Sequence, residues 1–117
     1  MTRDFKETVQ ARATRDPDFR QALLQEAVAN MLDGDLETGK AVLRDYINAT
    51  IGFEALGRAT GTLPKSLMRM FGPRGNPQAS NLFAVLGHLQ EQGGFHLKVR
   101  TETCHSEERS SSIHARV

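Results

Sequence analysis

The sequence predicts an all-α domain of about five to six helices, one pair of them a helix-turn-helix, with a short C-terminal β-strand. Three observations carry this. Apolar residues recur at a 3.6-residue period through much of the chain before residue 93. Runs of β-branched residues are almost absent. Asp-Pro, Asp-Gly, Asn-Pro and Gly-Gly pairs cut the chain into pieces of helical length. A chain of 117 residues suits a single domain. The expected division is a helical domain over 1–101 and a disordered tail over 102–117, where serine and charge dominate.

Residues 2–14 read as a short amphipathic helix with Phe5, Val9 and Ala13 on one side. Asp16-Pro17 then opens a second helix: the carboxylate caps free N–H groups, and proline is accepted in the first turn. Its stripe is Phe19, Leu23, Leu24, Ala27, Val28 and Met31, and Asp33-Gly34 ends it. Asp35 caps a third helix over about 36–48, which buries Leu36, Gly39, Val42, Leu43, Tyr46 and Ile47.

The stretch from Phe53 to Phe71 reads as two short helices broken at Gly61. The first buries Phe53, Leu56, Gly57 and Thr60; the second buries Leu63, Leu67, Met70 and Phe71. Gly57 stands where crossing helices approach closely, and Gly61 where the chain turns sharply. Thr62 is a candidate cap for the second helix, with Pro64 in its first turn. This spacing is that of a helix-turn-helix, whose second helix enters the DNA major groove.

The loop GPRGNP at 72–77 follows. Asn76-Pro77 repeats the cap-then-proline grammar and predicts a helix over about 78–92, burying Leu82, Phe83, Leu86 and Leu89. Beyond Gly93-Gly94, Phe95, Leu97 and Val99 alternate with His96, Lys98 and Arg100, a period-two strand signal. A lone strand has two outlets: pairing with the same strand of a second copy, or lying extended against the core.

Charge is distributed unevenly. The net charge is +1, yet residues 51–77 hold four bases, Arg58, Lys65, Arg69 and Arg74, against one acid, Glu54. Residues 1–50 hold nine acids and seven bases. Lys65 and Arg69 lie four apart, on one helical face. They can donate to guanine O6 and N7; Ser66 can bond several base edges and Met68 can touch a thymine methyl. Arg58, Arg74 and the N–H groups of a helix capped by Asn76 are candidates for phosphate, with Ser80 and Asn81 adding neutral hydrogen bonds.

Other chemistries lack a constellation. His88, His96, His105 and His114 have no metal-ligand spacing, and Cys104-His105 falls in the expected tail. GPRGNP follows a helix rather than a strand and does not match a phosphate-binding loop. No catalytic residue, metal or cofactor is expected. With one cysteine, no apolar leader and no long apolar run, the expectation is a cytoplasmic protein without a membrane span.

The segment GFEALGRATGTLPKSLMRMFGPRGNPQASNLFAVLGHL resembles the Cro/CI-type, lambda-repressor-like helix-turn-helix group. More narrowly, it is similar to the addiction-module antidote proteins, small regulators encoded beside small toxins. The matching features are Leu56-Gly57…Gly61, Pro64-Lys65-Ser66-Leu67, Gly75-Asn76-Pro77 and Asn81-Leu82-Phe83…Leu86…Leu89. The preceding ETGKAVLRDYINATIGFE is similar too. Two departures stand out: Thr62 replaces an aliphatic residue frequent in the wider group, and the sequence after residue 102 has no counterpart there. The resemblance implies a lambda-repressor-like fold, a homodimer on operator DNA and a cognate toxin as protein partner. An alternative expectation is a module that mainly neutralises a toxin, with little DNA binding.

Overall fold

The computed structural model describes residues 8–104. The expected helical start at 2–7, with Phe5, and the tail from residue 105, with His105 and His114, lie outside the described residues. Six helices follow in order: α1 Val9–Arg15, α2 Pro17–Leu32, α3 Leu36–Ala49, α4 Gly52–Thr60, α5 Pro64–Met70 and α6 Ala79–Gly93.

The caps explain most of the boundaries. Thr8 Oγ1 accepts from Ala11 N at 3.0 Å and starts α1. Asp16 both ends α1 and starts α2, its Oδ1 accepting from Phe19 N at 3.2 Å. Asp35 Oδ1 accepts from Thr38 N at 3.1 Å and starts α3. Arg20 reaches back from α2 and donates to the Ala13 and Thr14 carbonyls at 2.9 and 3.1 Å, satisfying the end of α1.

Helices α2 and α3 form an antiparallel hairpin, with α1 packed across both. Helix α4 joins that base to the rest, touching α3, α5 and α6. One core cluster runs through all six: Ala13; Leu23, Leu24 and Ala27; Leu43, Tyr46 and Ile47; Phe53 and Leu56; Leu67 and Phe71; Val85, Leu86 and Leu89. Most of the expected apolar stripes therefore face inward.

Three expectations change. Leu63 is 72% exposed, because it precedes α5 in extended backbone and so lies off the helical stripe. Phe83 is 66% exposed, while Val85 is buried. The inward stripe of α6 is Leu82, Val85, Leu86 and Leu89, and Phe83 projects about 100° away from it. Third, no strand forms among the described residues. Residues 95–104 instead carry no regular structure: Phe95 and Leu97 lie half-buried against the core, and residues 98–104 are exposed.

Gln90 holds that segment in place. Its backbone carbonyl accepts from Gly94 N and Phe95 N at 2.9 and 3.1 Å. Its side chain donates to the Leu86 carbonyl at 3.1 Å and accepts from Leu97 N at 2.7 Å. Phe95 and Leu97 are thereby pressed, half-buried, onto the core.

Candidate nucleic-acid interface

Helix α4, the connection at 61–63 and α5 follow one another over the stretch from Phe53 to Phe71, with α4 packed against α5. Gly61 ends α4 with φ +72°, a left-handed conformation that glycine adopts without a Cβ penalty. Thr62 N then donates to the Gly57 carbonyl at 2.9 Å, folding the turn back onto α4. A Cβ on Gly57 would stand 2.5 Å from the Thr62 carbonyl oxygen and 3.2 Å from Pro64 N. The close approach at Gly57 is thus to the turn and to Pro64, the first residue of α5.

Thr62 does not cap α5. The N-cap position is Leu63, no side chain caps it, and Pro64 occupies the first turn. Proline has no N–H to satisfy there, which lowers the demand for a cap. Thr60, half-buried rather than buried, returns its hydroxyl to the Leu56 carbonyl at 2.9 Å.

Helix α5 presents two faces. Leu67 is buried at 1% exposure, Phe71 just beyond the helix is fully buried, and Met70 is half-buried against them. Lys65, Met68 and Arg69 point to solvent, with Ser66 partly exposed beside them. The spacings of three and four put Lys65, Met68 and Arg69 on one outward stripe. Met68 is half-exposed, a large apolar group on an otherwise cationic surface.

The loop after α5 curls beneath its C-terminal end. Gly75 N donates to the Gly72 carbonyl at 3.0 Å, and Gly75 packs so tightly on the Arg69 and Met70 carbonyls that no Cβ fits. Two cations from α3 complete this end. Lys40, fully buried, donates through Nζ to the Gly72 and Gly75 carbonyls at 2.9 and 2.6 Å. Its third partner is Glu37 Oε2 at 3.1 Å, so all three ammonium donors have acceptors. Arg44, one turn along α3, donates through Nη1 to the Phe71 carbonyl. Positive charge at a helix C-terminus is favourable through the backbone dipole as well as the hydrogen bonds.

Ser66, Arg69, Met70, Arg74, Gly75 and Asn76 consequently line one open depression of about 370 Å³. The candidates Ser66, Arg69, Arg74 and Asn76 are brought together there. Lys65 and Met68 adjoin it on the same helix. Arg58 stands exposed in the last turn of α4, outside the depression. Ser80, exposed, and Asn81, half-buried, lie in the first turn of α6, also outside it. Arg58, Lys65, Arg69 and Arg74 make no salt bridge among the described residues.

Asn76 does not cap α6, and Pro77 is not its first residue. The helix begins at Ala79, with Gln78 in extended backbone at its N-cap and no side-chain cap. A residue before proline is pushed toward extended backbone. Because Gly75 is held beneath α5, the chain uses residues 76–78 to reach the start of α6. The uncapped first turn of α6 remains, but Asn76 is exposed on the loop.

Lys40 and Arg44 are absent from the candidates that the sequence pattern yields. A signal existed: Lys40 falls on the stripe Leu36, Lys40, Leu43, Ile47, where an apolar residue is expected. Among the described residues no group of three or more His, Cys, Asp or Glu could hold a metal, and no helix is long and apolar enough to cross a membrane. No protein-family model matches the chain, and no match is found among the curated proteins or solved structures compared with it.

Proposed function

We propose that this chain is a sequence-specific DNA-binding transcriptional regulator with a lambda-repressor-like fold, acting in the cytoplasm as the antitoxin-type partner of a toxin. The observation that carries the reading is the outward stripe of α5. Lys65 and Arg69 stand there without acidic partners among the described residues, above a depression that adds Ser66, Arg74 and Asn76. In this reading α5 lies in the major groove. Lys65, Ser66 and Arg69 meet base edges, Met68 meets a thymine methyl, and Arg58 and Arg74 meet phosphates. The first turn of α6, with Ser80 and Asn81, offers uncapped N–H groups to the backbone. A homodimer would set two α5 helices on half-sites about one DNA turn apart.

Fluorescence anisotropy tests this. The protein is titrated against the duplex upstream of its own reading frame and against a scrambled duplex, at two salt concentrations. The specific duplex should bind more tightly, and both affinities should fall with salt as counterions are released. Equal binding to every duplex, or none at low salt, would defeat the reading.

The exposed acids of the first half support a second reading. Asp18, Glu26, Asp33, Asp35 and Glu37 all face solvent on α2, its turn or the start of α3. A basic partner protein would suit them, and toxin masking rather than DNA binding would then be the main task. Lys65→Ala with Arg69→Ala separates the two: loss of activity in cells favours DNA, and full activity favours masking.

A further inference from the structure

A fully buried lysine needs a reason. Removing an ammonium from water is costly unless its donors are met, and Lys40 meets all three. Two of its acceptors are carbonyls more than thirty residues away, at Gly72 and Gly75. They flank Arg74, the exposed cation of the depression. Neither of the bonded carbonyls belongs to a regular element, and the loop's own backbone bonds are local ones, from Gly72 N to the Arg69 carbonyl and from Gly75 N to the Gly72 carbonyl. Arg44 fastens the preceding carbonyl, at Phe71, from the same face of α3. A hydrophobic side chain of equal length could fill the space at Lys40 but could not hold two carbonyls at once.

We propose that Lys40 is a positioning residue for the DNA-contacting loop: it pins Gly72 and Gly75 so that Arg74 and Asn76 are presented beside Arg69 at the height of the phosphate backbone. This rests on the DNA reading given above and adds to it how a seven-residue helix keeps its trailing loop in register. Lys40 itself touches no nucleic acid, being sealed beneath the loop. Its influence passes through the backbone on either side of Arg74. Without it, Arg74 would sample many positions, and each binding event would have to order the loop first.

Two experiments on the full chain decide the matter. The first is tryptic cleavage after Arg74, followed by mass spectrometry. In the wild type, Arg74 should be cut about tenfold or more slowly than Arg100 in the terminal segment, although both are exposed, because cleavage needs local opening. Lys40→Met should raise the Arg74 rate toward that of Arg100 while leaving other sites unchanged. If wild-type Arg74 is cut as fast as Arg100, the loop is not held and the proposal falls, even if the variant fails to fold. The second is a double-mutant cycle in DNA affinity. Lys40→Met and Arg74→Ala should each weaken binding by about tenfold, and the double variant should be no weaker than about tenfold, because the two act through one contact. A multiplicative loss near a hundredfold would assign Lys40 a merely structural part and overturn the proposal. Absence of any wild-type DNA binding would remove the DNA reading and the phosphate role together, and the tryptic comparison would still judge the pinning of the loop on its own.

Discussion

Gly57→Ala should destabilise the protein, although alanine is ordinarily the better helix residue. Gly57 lies within α4, where replacing glycine by alanine gains about 1 kcal/mol from helix propensity alone. Against this stands geometry. The new methyl would sit 2.5 Å from the Thr62 carbonyl oxygen, 3.2 Å from Pro64 N and 3.3 Å from Pro64 Cδ. The nearest of these is backbone, so no flexible side chain can move aside. Retreat of the turn would also stretch the bond from Thr62 N to the Gly57 carbonyl, which is 2.9 Å long. Overpacking of this kind costs about 1–3 kcal/mol, and the lost hydrogen bond adds about 1 kcal/mol. The net expectation is a loss of about 1–3 kcal/mol, or a fall in Tm of several degrees. Gly87→Ala provides the control. Gly87 lies within α6, is exposed, and a methyl there would meet nothing within 4 Å. It should gain about 1 kcal/mol. Thermal and urea denaturation followed by far-UV circular dichroism measure both. A Gly57→Ala protein as stable as the wild type, beside a stabilised Gly87→Ala, would refute the close approach of turn and helix.

Three further outcomes follow from the same contacts. Leu67→Ala removes a buried side chain beneath α5 and should cost about 2–5 kcal/mol, whereas Met68→Ala on the outward face should stay within about 0.5 kcal/mol in urea unfolding. Acid should weaken the fold through its two carboxylate caps: the Phe19 N–H lowers the Asp16 pKa, and Thr38, through its hydroxyl and then its N–H, lowers that of Asp35. Their contribution is complete above the unfolded carboxylate value of about 3.9 and fades as pH falls through the lowered folded values, so Asp16→Asn with Asp35→Asn should flatten the acid limb of Tm against pH. Finally, Arg74→Ala should reduce the slope of log affinity against log salt by about one and weaken all duplexes alike, while Arg69→Ala should also relax sequence preference; identical changes from both would collapse the division into phosphate and base contacts.

Much of the architecture was legible because its signals are local. Asp16 and Asp35 announce their helices through side chains that reach only three residues, and Gly61 declares its turn through backbone freedom alone. Leu67 sits on a stripe that period and burial agree on. The failures share another cause: each depended on partners distant in sequence or on where a helix really starts. Leu63 left the stripe because α5 begins one residue later, at Pro64. Asn76 lost its capping role because Gly75 is drawn beneath α5 by contacts with Arg69, Met70 and Lys40. The alternation of Phe95, Leu97 and Val99 is real, but a strand needs a neighbour, and among the described residues the segment finds only Gln90, whose backbone carbonyl takes Phe95 N and whose side chain takes Leu97 N. For the site, helical periodicity suffices to align Lys65 with Arg69. It cannot place Arg74 and Asn76 beside Ser66, since that grouping depends on a loop closed from α3.

The order of α5 is therefore borrowed rather than intrinsic. Seven residues make about two turns, well short of the length at which an isolated helix persists in water. No side chain caps its start, and within it only Leu67 is buried. What fixes it lies at its two ends. At the front, Gly57 and the Thr62 bond set the angle of entry from α4. At the rear, Phe71 is sunk in the core, and Arg44 and Lys40 take up the carbonyls that follow. Helix α3 thus does two jobs. Its apolar side packs against α2 to form the base of the domain, and two cations on it grip the exit of α5. Since α2–α3 is the most extensive helix pairing in the fold, the outward stripe of α5 is referred to the most heavily packed part of the molecule. A perturbation on α3 that shifts Lys40 or Arg44 has a direct mechanical route to Arg69 and Arg74, with no change required in the stripe itself.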